Sequence, residues 1–170
     1  MNWYALKIFY RRHIAIEATL ERDGVEYYTP KRTVRAFRNG RMTDVEQLLD
    51  PMLMFVRSTE EYIAQLNKVL HEKAMVYRYP GRREPAPISD EEMEMFRFVV
   101  SAGDKGLEII GPLSDDKPQK ARYRVTDGVL KGTEGSLVRI KNRTRLVVKV
   151  GDIIAVATSY IPKKYLQKVQ

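Results

Sequence analysis

The sequence predicts a two-domain α+β protein, an α/β sandwich with a mainly antiparallel sheet followed by a small β-barrel. Three observations carry that prediction. Short apolar strands alternate with helical stripes through the first two thirds of the chain, and the hydrophobic period then changes to two. The charge divides at the same place. Residues 1–116 hold 17 basic and 19 acidic side chains, whereas residues 117–170 hold 13 and 3, so the net +8 arises entirely from the last third. That excess fits either a face turned to a polyanion or a solvated basic surface.

Trp3 to Phe9 is short, apolar and aromatic, and reads as a strand. Between Arg11 and Arg22, Ile14 and Ala18, and also Ile16 and Leu20, lie four apart, which suits a short helix with Gly24 as its stop. Val25 to Phe37 is rich in Val, Tyr and Thr and reads as extended, with Pro30 unsuited to a central strand. Asn39-Gly40 is a hairpin signal whose return arm runs through Met42 and Val45, and Leu53 to Arg57 is a further strand. Ser58 and Glu61 have the spacing of a capping box. Tyr62, Ile63, Leu66, Val69 and Leu70 then form one apolar stripe. Ala74 to Tyr79 returns as a strand, and Pro80 to Pro87 is a loop. Ser89 and Glu92 form a second capping box, opening a helix with Met93, Phe96 and Val100 that ends near Gly103.

The polar stretch 113–119, with Asp115, Asp116 and Pro118, reads as a linker between a unit at 1–112 and a barrel at 120–170. In the tail Val138 and Ile140 alternate with Arg139 and Lys141, and Leu146, Val148 and Val150 with Arg145, Val147 and Lys149. Gly151-Asp152 reads as a two-residue hairpin before Ile153 to Thr158. Several short β-branched strands in so short a segment suggest a closed barrel.

Composition excludes several function classes. The chain has no Cys, which removes disulfides, thiol catalysis and thiolate metal sites, and its two histidines, His13 and His71, make a zinc centre unexpected. No apolar run approaches the ~20 residues of a membrane span, and the N-terminal stretch lacks the order of a signal peptide, so a cytoplasmic protein is expected. No cofactor is expected. Asp90, Glu91 and Glu92 are explained by a helix N-terminus, and no phosphate-cradling loop, G-x-S-x-G or H-E-x-x-H is present, so the chain does not read as an enzyme.

The segment Tyr123 to Gly135 resembles a KOW motif, with Gly128 and Gly135 seven apart and basic strands following. The physical need there is for positive φ or close backbone approach. Trp3-Tyr4 resembles the opening of a NusG N-terminal (NGN) domain. Leu49-Asp50-Pro51 through Val56 resembles its proline-centred approach to a core strand, and Pro85 through Glu92 resembles the lead into its last helix. Order and spacing fit from residue 3 to residue 169, so the chain resembles a NusG-family elongation or antitermination factor. Its short first helix and KOW sequence resemble the specialised UpxY-like paralogues of Bacteroides-type bacteria. Met52 and Leu53 stand where the family has a small residue and an aromatic, and Leu130 stands where it has a Phe.

The resemblance implies an SH3-like barrel for the tail and RNA polymerase as partner. Trp3, Tyr4, Leu49, Leu53 and Phe55 would line or support an apolar depression for the tip of the β′ clamp helices. Strand residues alternate faces, so about half of these belong to the core. Trp3 and Phe55 are expected there, and Tyr4, Leu49 and Leu53 at the interface. Lys7, Arg11, Arg12 and His13 would lie near the non-template DNA, unless they are only a solvated charge run. Leu130 and Ile153 would sit at the edge where the family's barrel takes a small-subunit ribosomal protein or Rho. Arg139, Lys141, Arg143 and Arg145, around the 141–144 hairpin, would meet DNA or nascent RNA. The alternative reading is a ribosome-associated KOW protein that binds RNA, supported by the basic tail.

Overall fold

The computed structural model describes residues 1–102, 104–111 and 121–169. The chain divides into two units, Met1–Met93 and Glu94–Gln170. Its elements, in order, are β1 (Asn2–Ile8), α1 (His13–Arg22), β2 (Glu26–Tyr28), β3 (Lys31–Arg38), β4 (Arg41–Leu48), β5 (Leu53–Ser58), α2 (Glu60–Leu70), β6 (Ala74–Val76), α3 (Asp90–Ser101), β7 (Glu108–Ile110), β8 (Arg122–Val125), β9 (Glu134–Ile140), β10 (Arg143–Val150), β11 (Ile154–Ala157), a 3₁₀ turn (Lys163–Tyr165) and β12 (Leu166–Lys168). Among the described residues every strand pairing is antiparallel.

In the first unit the sheet order is β2-β5-β1-β6. Strand alternation turns Tyr4, Leu6 and Ile8 of β1, and Met54 and Val56 of β5, to one face. There they join Ile16 and Leu20 of α1 and Ile63, Leu66 and Leu70 of α2 in one core. The end of α1 is fixed by the main chain: the Gly24 amide donates to Glu21 and the Val25 amide to Leu20, a Schellman pair. Val25 then packs on the same core as Leu20. Strands β3 and β4 form a separate two-stranded ribbon turning at Asn39 (φ 50°) and Gly40 (φ 76°), as the sequence predicts.

Two helix starts of similar sequence behave differently. At α3 the Ser89 amide donates to Glu92 Oε2 at 2.9 Å and the Glu92 amide to Ser89 Oγ at 3.2 Å, a reciprocal capping box. At α2 the expected Ser58–Glu61 box does not form. Ser58 is the buried last residue of β5, and Thr59 is the N-cap, its Oγ1 accepting from the Tyr62 amide at 3.3 Å. The shift by one residue follows from β5 continuing to Ser58. Val69, expected in the apolar stripe, is 72% exposed, since at 100° per residue it lies off the face that Ile63, Leu66 and Leu70 bury.

The second unit holds a six-stranded sheet in the order β12-β8-β9-β10-β11-β7. Both glycines of the motif have the expected physical reasons. Gly128 has φ +86°, and a Cβ on Gly135 would stand 2.3 Å from the Val147 carbonyl oxygen, inside the β9–β10 pairing. The turn after β10 differs from expectation. Val150 pairs with Ile154, so Gly151, Asp152 and Ile153 form a three-residue loop, with Ile153 buried. Strand β7, read from sequence as part of the first unit, pairs with β11 (Ala155 opposite Ile110). The expected linker 113–119, and Gly103, lie outside the described residues.

Candidate functional site

The face of the first sheet opposite the helical core carries Trp3, Ala5 and Lys7 of β1. Directly across from them stand Arg57, Phe55 and Leu53 of β5. Tyr28 of β2 adds its ring 6.3 Å from that of Phe55. Trp3 is held firmly. Its backbone exchanges hydrogen bonds with Ile88 at 3.0 and 2.8 Å, and its indole Nε1 donates to Asp90 Oδ1 at 2.9 Å. Arg57 grips the same carboxylate with two hydrogen bonds, at 2.9 and 3.0 Å. Arg57 therefore holds the Asp90 carboxyl below the usual carboxylate range, with Trp3 adding a smaller pull.

Of the five expected polymerase-contact residues, this face brings together Trp3, Leu53 and Phe55. Each is at most 3% exposed. Tyr4 is corrected. It belongs to the opposite face, 2% exposed among Leu6, Ile8 and α2, because a strand cannot present neighbours to one side. The exposure expected of Leu53 is corrected too, whereas Leu49 is half-buried beyond β4, its amide donating to Pro30 at 2.9 Å. The apolar atoms that reach the surface around this face come from residues the sequence reading did not select. Met75 stands opposite Lys7 and is 45% exposed, and Met52 is 50% exposed beside the Asp50 turn. Tyr77, two along from Met75, is half-buried, and burial raises its hydroxyl pKa, with Asp50 adding to the effect. The alternation Ala74-Met75-Val76 was the available signal, since buried flanks force Met75 outward.

The basic cluster of the first unit sits on an unusual backbone. Tyr10 and Arg11 both have φ 55°, a pair of left-handed non-glycine residues between β1 and α1. Such conformations cost roughly 1–2 kcal/mol per residue and concentrate at functional segments. They leave Tyr10 84% exposed beside exposed Arg11 and Arg12, while Lys7 and His13 are half-buried. Arg12 is the N-cap of α1, without a side-chain cap and with no acidic residue in the first turn. The helix's positive end therefore carries no anionic side chain of its own. The sequence offers no periodic signature that singles out Tyr10.

In the second unit Arg145 is corrected. Its side chain is only 12% exposed, and its guanidinium donates to Glu108 Oε2 at 3.0 Å, to the Gly106 carbonyl at 2.5 Å, to the Ala157 carbonyl at 3.1 Å and to the Thr158 carbonyl. That arginine ties residues 106–108 to the sheet with four of its five N–H donors; it holds the Glu108 carboxyl below its usual range. Arg139, Lys141 and Arg143 are exposed, with Lys141 3.9 Å from Glu108. Lys141 (φ 48°) and Asn142 (φ 64°) make the tight turn between β9 and β10. Leu130 and Ile153 are 4% and 2% exposed, so neither presents the surface expected of it, and the exposed apolar residue of that turn is Val129 at 68%.

A model of the NusG family, described as transcription termination factor nusG, matches residues 1–97. That is more than half of the chain, and the protein belongs to the NusG family, whose members are non-enzymatic transcription factors that interact with RNA polymerase. Among solved structures the chain is similar to NusG of Thermotoga maritima, described as "Domain interaction in Thermotoga maritima NusG". The identity is 18%, covering 99% of this chain and 97% of that one, with a TM-score of 0.48. No curated protein matches. Among the described residues no helix is long and apolar enough to cross a membrane.

Proposed function

We propose that this protein is an elongation and antitermination factor that binds the β′ clamp helices of RNA polymerase through its first unit and suppresses pausing. The family match over residues 1–97 carries the reading. The sheet face of Trp3, Leu53 and Phe55 would form the supporting floor, and Leu49, Met52 and Met75 the surface that a partner covers. Binding energy at such a patch concentrates in a few apolar anchors. Holding a polymerase in its closed state needs only higher affinity for that state, with no bond made or broken. Arg11, Arg12 and the uncapped start of α1 would meet the phosphates of the non-template strand. Residues 120–170 would be an SH3-like KOW barrel after a linker at 113–119, recruiting a partner such as a small-subunit ribosomal protein or Rho. As a UpxY-like paralogue it would act on long operons such as surface polysaccharide clusters.

The test is transcription by the cognate polymerase on a pause-bearing template. The full chain is expected to shorten the pauses; unchanged or longer pauses would contradict the antitermination reading. The ribosome-associated alternative draws on the basic tail, and the tail's ion pairs weaken it. Arg122 and Arg124 bind Glu134, and Arg145 is internal.

A further inference from the structure

A cavity of about 420 Å³ opens in the second unit between the β9–β10 turn and the segment before β12. Its floor is apolar, formed by Leu137 and Leu146, a directly opposed pair, together with Ile161 and Leu166. Tyr160 stands at its edge, 59% exposed. Arg143 and Lys163 complete the rim, and among the described residues no acidic side chain lines it.

The charges of this unit are not equivalent. Arg122, Arg124, Arg145, Lys141 and Lys149 each have a carboxylate within 4.0 Å. Arg143 and Lys163 have no ion-pair or side-chain hydrogen-bond partner among the described residues. Arg139, also exposed, lies on the strand face of Leu137, opposite Thr144. Arg143 and Lys163 thus line an apolar cavity with an exposed aromatic at its lip, with Arg139 on the same strand face. Lys131, Lys164 and Lys168, also without a carboxylate partner among the described residues, do not line it. A surface that only aided solubility would not need that cavity.

We infer that this cavity receives an unpaired base of single-stranded RNA, stacked on Tyr160, with the flanking phosphates on Arg143 and Lys163. Apolar floor, aromatic platform and cationic rim are the three parts of single-strand recognition. A duplex hides the base faces that such a platform uses. Asn142 and Thr144, polar side chains on the same lining, are suited to a ribose 2′-hydroxyl, which favours RNA over DNA. The inference goes beyond the polymerase contact proposed for the first unit and assigns a place and a chemistry to a nucleic-acid contact in the second.

The experiment is fluorescence anisotropy with the full chain and a short labelled oligouridylate, beside an oligothymidylate and an abasic strand of equal length. Tyr160→Ala is expected to weaken RNA binding about tenfold and Tyr160→Phe by less than about twofold, since the ring rather than the hydroxyl does the stacking. The double variant Arg143→Gln/Lys163→Gln is expected to reduce the slope of log K against log salt by about 1.4. Unchanged binding by Tyr160→Ala, or equal binding of the abasic strand, would overturn the base pocket. Equal or tighter binding of oligothymidylate would overturn the RNA assignment. Binding of core polymerase by the same Tyr160→Ala protein is read in parallel and is expected to be retained, so that failure of the pocket and failure of the polymerase reading give different results.

Discussion

The first unit and the second use arginine in opposite senses. In the first, Arg57 lies at the end of a sheet face and fixes Asp90, which in turn orients Trp3; the arginine serves an apolar surface. In the second, Arg145 is drawn inside to join residues 106–108 to β10 and β11, while Arg143, two positions earlier, stays free at the turn. The contrast teaches that a count of basic residues overstates the charge offered to a partner. What matters is which cations have carbonyl or carboxylate partners of their own.

That contrast can be broken by substitution. The largest effect is expected from Gly135→Ala, since the added methyl would meet a backbone carbonyl at 2.3 Å that cannot swing away. Overpacking of this kind should cost about 3 kcal/mol or more, read from guanidinium unfolding by circular dichroism. Arg145→Met comes next. It leaves the carbonyls of Gly106, Ala157 and Thr158 without their donor and should cost about 2 kcal/mol, whereas Arg143→Gln should change stability by less than about 0.5 kcal/mol. Equal effects at 143 and 145 would erase the distinction between a structural and a free arginine.

The two helix starts offer a finer version. Ser89→Ala and Thr59→Ala should each cost about 1 kcal/mol, whereas Glu61→Ala should cost less than about 0.5 kcal/mol because no capping box uses it. The smallest effect is one of pH. The Asp90 pKa is lowered in the folded state, so its contribution is fully present above the ordinary carboxylate value. It is lost as pH falls through the depressed folded value. Thermal unfolding followed from pH 6 down to pH 2 should show Asp90→Asn with a shallower loss of Tm than the parent. Parallel curves would remove the Arg57–Asp90 pair from the account.

Much of the fold was legible because its cues are local. The Asn39-Gly40 turn, the Ser89–Glu92 box and the stop at Gly24 each depend on residues within a few positions. The failures come from tertiary choice. Whether Ser58 ends a strand or caps a helix depends on how far β5 runs, and the pairing of β7 with β11 joins segments nearly fifty residues apart. The candidate site was less legible. Trp3, Leu53 and Phe55 share a face as alternation requires, but Tyr4 obeys the same rule and faces the other way. Burial of Leu130 and Ile153, and capture of Arg145, depend on partners that spacing cannot reveal. Tyr10 and Tyr160 escaped notice because a lone exposed tyrosine has no periodic signature.

The central claim is that the first unit docks on polymerase through the surface around Met52 and Met75. The most direct test is binding of the full chain to the cognate core RNA polymerase, compared with Met52→Glu and Met75→Glu, both at exposed positions where a charge should not unfold the protein. The account predicts binding by the parent and a loss of about tenfold or more in each variant. Absence of binding by the parent, or equal binding by both variants, would contradict it.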